Sequence, residues 1–232
     1  MMSGGGMAKR KEHREKKEKQ IHTVNLRPQT PRQDQLMQAI SDNQMVITCG
    51  YPGTGKTYVP TVMACNAFLK GEIDKIFLTR PNVAAGRSLG FRPGDMMEKM
   101  AEWFSEIFQI MRHCLTPGFL DVSLKRKNIE IVPFETMRGR SFRDGVVLLD
   151  EAQNTTPKEM KMFVTRIGDA KVIANGDVLQ SDLSQTSGLN TVMEISRKYN
   201  MHIPVIEFGA SDIVRGDLCR EWIINWMDWE KQ

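Results

Sequence analysis

Short runs of consecutive apolar residues recur along the chain, separated by longer stretches in which apolar residues fall three or four apart. Six of the runs read as strands: residues 45–49 (MVITC), 75–79 (KIFLT), 129–133 (IEIVP), 146–149 (VVLL), 171–174 (KVIA) and 203–206 (IPVI). The run at 146–149 is the most uniformly apolar and predicts a strand buried on both faces. The last run contains Pro204, which cannot donate to a ladder and so predicts a strand near an edge.

The intervening stretches carry helix signatures. Thr30-Pro31-Arg32-Gln33 fits a helix start, with Thr30 as N-cap, Pro31 in the first helical position and Gln33 in the third. Leu36, Met37 and Ile40 then form the apolar face. Residues 58–69 can be helical, with Pro60 confined to the first turn. Asp95 with Glu98 caps a further helix whose stripe is Met97, Met100, Phe104, Ile107, Phe108 and Met111. Thr156-Pro157-Lys158-Glu159 repeats the helix-start pattern ahead of Met160, Phe163, Val164 and Ile167. Trp222, Trp226 and Trp229 lie at helical spacing and read as core packing, with a subunit contact as the alternative. Strands alternating with helices predict an α/β fold, a mostly parallel sheet with helices on both faces. No repeat or low-complexity linker interrupts it, so residues 21–232 read as one domain.

Charge changes the picture only at the N-terminus. The segment from Lys9 to Lys19 holds seven basic and three acidic residues, and so carries the whole net charge of +4. Residues 1–20 therefore read as a basic, disordered arm, suited to nucleic acid or simply to solubility. No apolar stretch approaches the roughly 20 residues needed to span a bilayer, and the N-terminus lacks the apolar core of a secretion signal. The expectation is a soluble, cytoplasmic protein with no membrane partner. Cys49, Cys65, Cys114 and Cys219 form no C-x-x-C pair and read as reduced core residues. His113 and Cys114 are helix neighbours that face different ways, which argues against a joint site.

The chemistry is concentrated in Gly50-Tyr51-Pro52-Gly53-Thr54-Gly55-Lys56-Thr57, which fits the phosphate-loop pattern G-x-x-x-x-G-K-[ST] at every fixed position. It follows a predicted strand and opens a predicted helix, the context in which backbone N–H groups and a helix N-terminus cradle phosphate. Lys56 would reach the β- and γ-phosphates, and the Thr57 hydroxyl would ligate Mg²⁺. Glycines at 50, 53 and 55 permit positive φ. Asp150-Glu151 follows the 146–149 strand, 94 residues after Lys56. Asp150 is a candidate to hold Mg²⁺, directly or through water, and Glu151 to act as general base toward water. Gly176-Asp177 and Gln180 follow the 171–174 strand as candidate γ-phosphate sensors, or form a turn and helix cap. Gln33 could contact an adenine edge as well as cap its helix.

The chain resembles the PhoH family of P-loop ATPases, related to superfamily 1 helicases. The resemblance rests on GYPGTGKTY at 50–58, TRPNVAAGRSLGFRPGD at 79–95, the block at 137–168, NGDVLQSDL at 175–183 and SDIVRG at 211–216. It implies a single RecA-like P-loop domain with ATP bound by Gly50 to Thr57 and Tyr58, and Gln33 nearby. It implies Mg²⁺ at Thr57 and Asp150 and catalysis by Glu151, with Gln153, Asp177 and Gln180 as coupling or sensing residues. It further suggests a hexameric ring, since one RecA-like domain cannot close an ATP site by itself. Arg215 is the first candidate for a transition-state arginine, from a neighbouring subunit or its own, with Arg138, Arg140 and Arg166 behind it. Arg80, Arg87, Arg92, Arg138 and Arg140 are candidates for contact with RNA or single-stranded nucleic acid. Arg87, Arg92 and Gly216-Asp217 depart from the family's usual residues. The expected function is a Mg²⁺-dependent ATPase acting on nucleic acid as a helicase-like motor. An ATP-dependent assembly switch and a small-molecule phosphotransferase are the alternatives.

Overall fold

Six strands pair in the order β3-β2-β4-β5-β1-β6, and every pairing among them is parallel. They are β1 (Met45–Gly50), β2 (Lys75–Thr79), β3 (Ile129–Ile131), β4 (Gly145–Leu149), β5 (Lys171–Asn175) and β6 (Val205–Phe208). The computed structural model describes residues 23–81, 102–177 and 186–229. Seven α-helices accompany the strands among these residues: α1 (Pro31–Asp42), α2 (Tyr58–Lys70), α3 (Ser105–Cys114), α4 (Pro117–Lys125), α5 (Pro157–Val164), α6 (Gly188–Lys198) and α7 (Asp217–Trp229). The basic arm and the predicted cap at Asp95 lie outside the described residues.

Alternation along each strand divides the core into two layers. Val46, Ile76, Leu78, Val146, Leu148 and Ile173 face α1, α2, α3 and α4. Ile47, Phe77, Val147, Leu149, Val172 and Ala174 face α5 and α6, with Phe142 stacked edge-on to Phe77 at 5.2 Å. The central strands are buried on both sides, which is why they read as unbroken apolar runs.

The helix starts follow the predicted chemistry. Thr156 and Glu159 form a complete capping box on α5. On α1, Thr30 accepts from the Gln33 N–H, but the Gln33 side chain reaches one residue further back, to the Gln29 N–H at 2.8 Å. Pro60 falls in the first turn of α2, as its ring requires.

Four expectations are corrected. The last strand is Val205–Phe208 rather than 203–206: Pro204 has no N–H, so it contributes only its carbonyl to Ile47, and the ladder starts after it. Pro204 does precede an edge strand. Helix α4, opened by Thr116-Pro117, was not anticipated, because Gly118 in its first turn masks the pattern. Cys219 is exposed, whereas Cys49, Cys65 and Cys114 are buried and all four are free. The tryptophans do share one helix, but Trp222, Trp226 and Trp229 are 61%, 59% and 74% exposed; the buried residue of α7 is Met227. Helical spacing put the rings together, and packing turned their face outward.

Gly50 ties β1 to β6 at the edge where the phosphate loop begins. Its φ is +111°, and a Cβ there would stand 2.1 Å from the Phe208 carbonyl oxygen. Gly50→Ala is expected to cost about 3 kcal/mol or more and to lower Tm by roughly 6–12 °C. Gly71→Ala, at a helix C-terminus with φ +71° and nothing within 4 Å, should cost only about 1 kcal/mol. Thermal melts of the two variants check the contrast.

Candidate nucleotide site

All strands being parallel, their carboxyl ends share one edge of the sheet, and the candidate residues are delivered there from β1, β2, β4 and β5. Between β1 and α2, the loop turns through Gly50, Gly53 and Gly55, all at positive φ. Thr54 Oγ1 donates to the Tyr51 carbonyl at 2.9 Å, and the Val59 N–H donates to the Gly55 carbonyl at 3.0 Å, so α2 grows directly out of the loop. The Lys56 ammonium folds back onto the loop, donating to the carbonyls of Gly50 and Tyr51. Burial pushes its pKa below the usual lysine range, and the Asp177 carboxylate partly offsets this. Thr57 is the N-cap residue of α2, yet its hydroxyl makes no cap bond. It accepts instead from the Asn175 amide at 2.8 Å.

Asp150 extends the ladder past β4, its N–H donating to the Thr79 carbonyl. Its Oδ1 accepts from Asn175 Nδ2 at 2.9 Å, and its Oδ2 lies 4.0 Å from the Arg80 guanidinium. Burial raises its pKa to about 6, with a further push from Glu151; Arg80 and Asn175 act in the opposite direction but do not cancel it. Glu151 stands at φ +50°, ψ +39°, a left-handed conformation uncommon for a residue with a side chain. Its Oε2 accepts from Gln153 Nε2 at 2.6 Å, and Gln153 Oε1 accepts from the Asp177 N–H at 3.0 Å. Gln153 thus ties the end of β4 to the end of β5 through a buried amide.

Lys56, Thr57, Asp150, Glu151, Asn175 and Asp177 line one cleft of about 730 Å³, within the usual range for a small-molecule site. The cleft wall includes Pro52, Tyr58, Gln33 and Arg215. Gln33 is buried, and its Nε2 donates to the Thr54 carbonyl at 2.9 Å. Arg215 lies against the loop of its own chain: a Cβ on Gly53 would be 2.7 Å from its Cγ. The adjacent Val214 N–H donates to the Gly53 carbonyl at 3.0 Å.

Two contributions were not anticipated. Asn175 bridges Thr57 and Asp150; its place in the NGD sequence after an apolar run was the available signal. Glu106, Gln109 and His113 line the cleft from the exposed face of α3, of which only His113 had been considered, and only as a neighbour of Cys114. The predicted arginine group is dispersed. Arg80 faces the acidic pair, lying also 3.8 Å from Glu151, and Arg140 pairs with Glu130. Arg138 is exposed, and Arg166 donates to the Met137 carbonyl. Gln180, Arg87 and Arg92 lie outside the described residues.

The family described as "PhoH-like protein" matches over residues 25–228. The chain belongs to the PhoH-like family. It is 39% identical over 189 residues to the Protein PhoH of Escherichia coli K12, a match that covers 79% of this chain and 53% of that protein. The PhoH-like protein of Bacillus subtilis is 42% identical over 197 residues, covering 84% of this chain and 61% of that protein. The chain thus spans between about half and two thirds of the length of these relatives. The Sulfolobus solfataricus SWI2/SNF2 ATPase core in complex with dsDNA aligns at 9% identity and a TM-score of 0.49, over 82% of this chain and 46% of that one. In this PhoH-like domain the acidic-pair strand β4 is separated from the glycine-rich-loop strand β1 by one inserted strand, β5. Among the described residues, no helix is long and apolar enough to cross a membrane.

Because Asp150 keeps its proton to about pH 6 when folded but loses it near pH 3.8 when unfolded, stability falls as pH rises through that window. The cost reaches about 3 kcal/mol at neutral pH. Asp150→Asn should therefore melt above the wild type by several degrees at pH 8 without metal or nucleotide, and the gain should shrink toward pH 4. A pH-independent difference in Tm would overturn this.

Proposed function

We propose that this domain binds ATP with Mg²⁺, hydrolyses it, and couples hydrolysis to RNA or another single-stranded nucleic acid as a helicase-like motor. The observation that carries the reading is the convergence of Lys56, Thr57, Asp150 and Glu151 on one cleft at the carboxyl edge of the sheet. The backbone of Gly50 to Thr57 holds the phosphates, and Lys56 exchanges two loop carbonyls for phosphate oxygens. Gln33, Tyr51, Pro52 and Tyr58 border the rest of the nucleotide. Thr57 and Asp150 offer hard oxygen donors suited to Mg²⁺, which supplies charge neutralisation at the phosphates. Glu151, oriented by Gln153, accepts the proton of the attacking water. Asp177 and Gln180 sense the γ-phosphate. Arg215 serves the phosphates of its own subunit, a role supported by its contact with Gly53.

Nucleic-acid engagement rests on the family resemblance, the basic arm, the exposed Arg138, and Arg87 and Arg92 by sequence alone, since Arg80 and Arg140 already face carboxylates. One observation favours a second reading, an ATP-dependent oligomeric assembly switch. Leu218, Trp222, Trp226 and Trp229 expose an apolar stripe along α7 that copies in a ring could share.

Steady-state hydrolysis with and without single-stranded RNA distinguishes them. Lys56→Ala should abolish turnover, and Glu151→Gln should lower kcat by ~10²-fold or more while retaining ATP binding. RNA should stimulate the wild type. Hydrolysis without stimulation would favour the switch, and no hydrolysis under any condition would sink the enzyme reading. Mixing Arg215→Ala with Lys56→Ala subunits should restore no activity, and restoration would move the arginine to the neighbour's site.

A further inference from the structure

We infer that Asn175 is a positioning residue for the divalent cation, and that Thr48 sets the direction in which its amide acts. This rests on the nucleotide-binding reading above and adds to it a pair of residues from the sheet interior.

Asn175 is the last residue of β5, the strand inserted between β1 and β4, and in register it faces Thr48 of β1. Its side chain is 9% exposed and that of Thr48 fully buried. Three hydrogen bonds engage the amide. Nδ2 donates to Thr57 Oγ1 at 2.8 Å and to Asp150 Oδ1 at 2.9 Å, and Oδ1 is 3.1 Å from Thr48 Oγ1.

The polarity of this network is determined. The NH₂ of Asn175, and not its oxygen, faces both Asp150 Oδ1 and Thr57 Oγ1. An amide nitrogen has two hydrogens, and here both are used. Thr57 Oγ1 is therefore an acceptor from Asn175, which leaves its own proton free for another acceptor. With the nitrogen committed, the amide oxygen must face Thr48, whose hydroxyl then has to donate. A valine at 48 would leave that oxygen buried without its donor, and a flipped amide would set oxygen against carboxylate.

Thr57 and Asp150 come from elements 93 residues apart, yet their oxygens are tethered to one nitrogen. They move together, and one hydrogen bond each holds the lone pairs that a cation would meet. Asn175 touches neither phosphate nor reacting water in this scheme. It acts through the two residues it holds.

The test is titration with a fluorescent ATP analogue carrying an N-methylanthraniloyl group, in EDTA and in saturating Mg²⁺, the ratio of affinities being the readout. Asn175→Ala should lower the Mg²⁺-dependent gain by ~10–100-fold while changing affinity in EDTA by no more than about 2-fold. Thr48→Val should act in the same direction more weakly, and Thr48→Ser, which keeps the hydroxyl, should match the wild type. A merely structural role would lower Tm and both affinities alike. Equal losses with and without Mg²⁺, or an undiminished gain in Asn175→Ala, would overturn the inference. If Asn175→Ala does not fold, the Thr48→Val and Thr48→Ser pair decides by the same ratio. A wild type that binds the analogue with no Mg²⁺ dependence would instead overturn the underlying nucleotide reading.

Discussion

The insertion of β5 between β1 and β4 is the constraint on which the site depends. Without it, the strand bearing the phosphate loop and the strand bearing the acidic pair would lie side by side, and nothing would approach both from between. With it, the backbone ladder from Met45↔Val172 across to Leu149↔Ala174 fixes the heights of all three carboxyl ends. Asn175 then emerges level with both Thr57 and Asp150. Parallel pairing brings every carboxyl end to one edge, so the same hydrogen bonds that build the sheet also assemble the polar groups.

Charge at this edge is held by compensation. Lys56 is partly stripped of water and repaid by two loop carbonyls and the nearby Asp177. Burial raises the pKa of Asp150 to about 6, and Asn175 and Arg80 act against that rise. Glu151 is oriented by an amide and sits on a left-handed backbone, a conformation that costs of order 1 kcal/mol and persists only where surroundings enforce it. Binding a nucleotide with its cation would substitute new partners for these internal ones, with little rearrangement of the strands.

The opposite tendency governs the periphery. The two core layers enclose the four central strands, while the edge strand β6 is only half-buried and α7 buries one large residue against the domain. The aromatic stripe along α7 leaves most of its apolar area exposed. Its hydrophobic value is realised only against another surface.

Much of this was legible in the chain. The strands at 45–49, 75–79 and 171–174 were placed to within a residue because burial on both faces demands unbroken apolar runs. The loop at 50–57 was legible because its positive-φ turns at Gly50, Gly53 and Gly55 call for glycine. The acidic pair was legible because it follows the most apolar run. Residues that act through neighbours distant in sequence were not. Strand order sets Asn175 between Thr57 and Asp150, the pairing of β2 with β4 brings Arg80, read beforehand only as a nucleic-acid candidate, to the acidic pair, and the return of the chain lays Arg215, a candidate whose subunit was left open, on its own Gly53. The tryptophans of α7 show the same limit from the other side, since periodicity specifies that side chains share a face but not what that face meets. Local pattern and turn chemistry are written in contiguous residues, so the sequence determined the elements and the phosphate loop. The order of strands and the partners of each buried polar group depend on which surfaces pack together, and these were decided only by the tertiary structure.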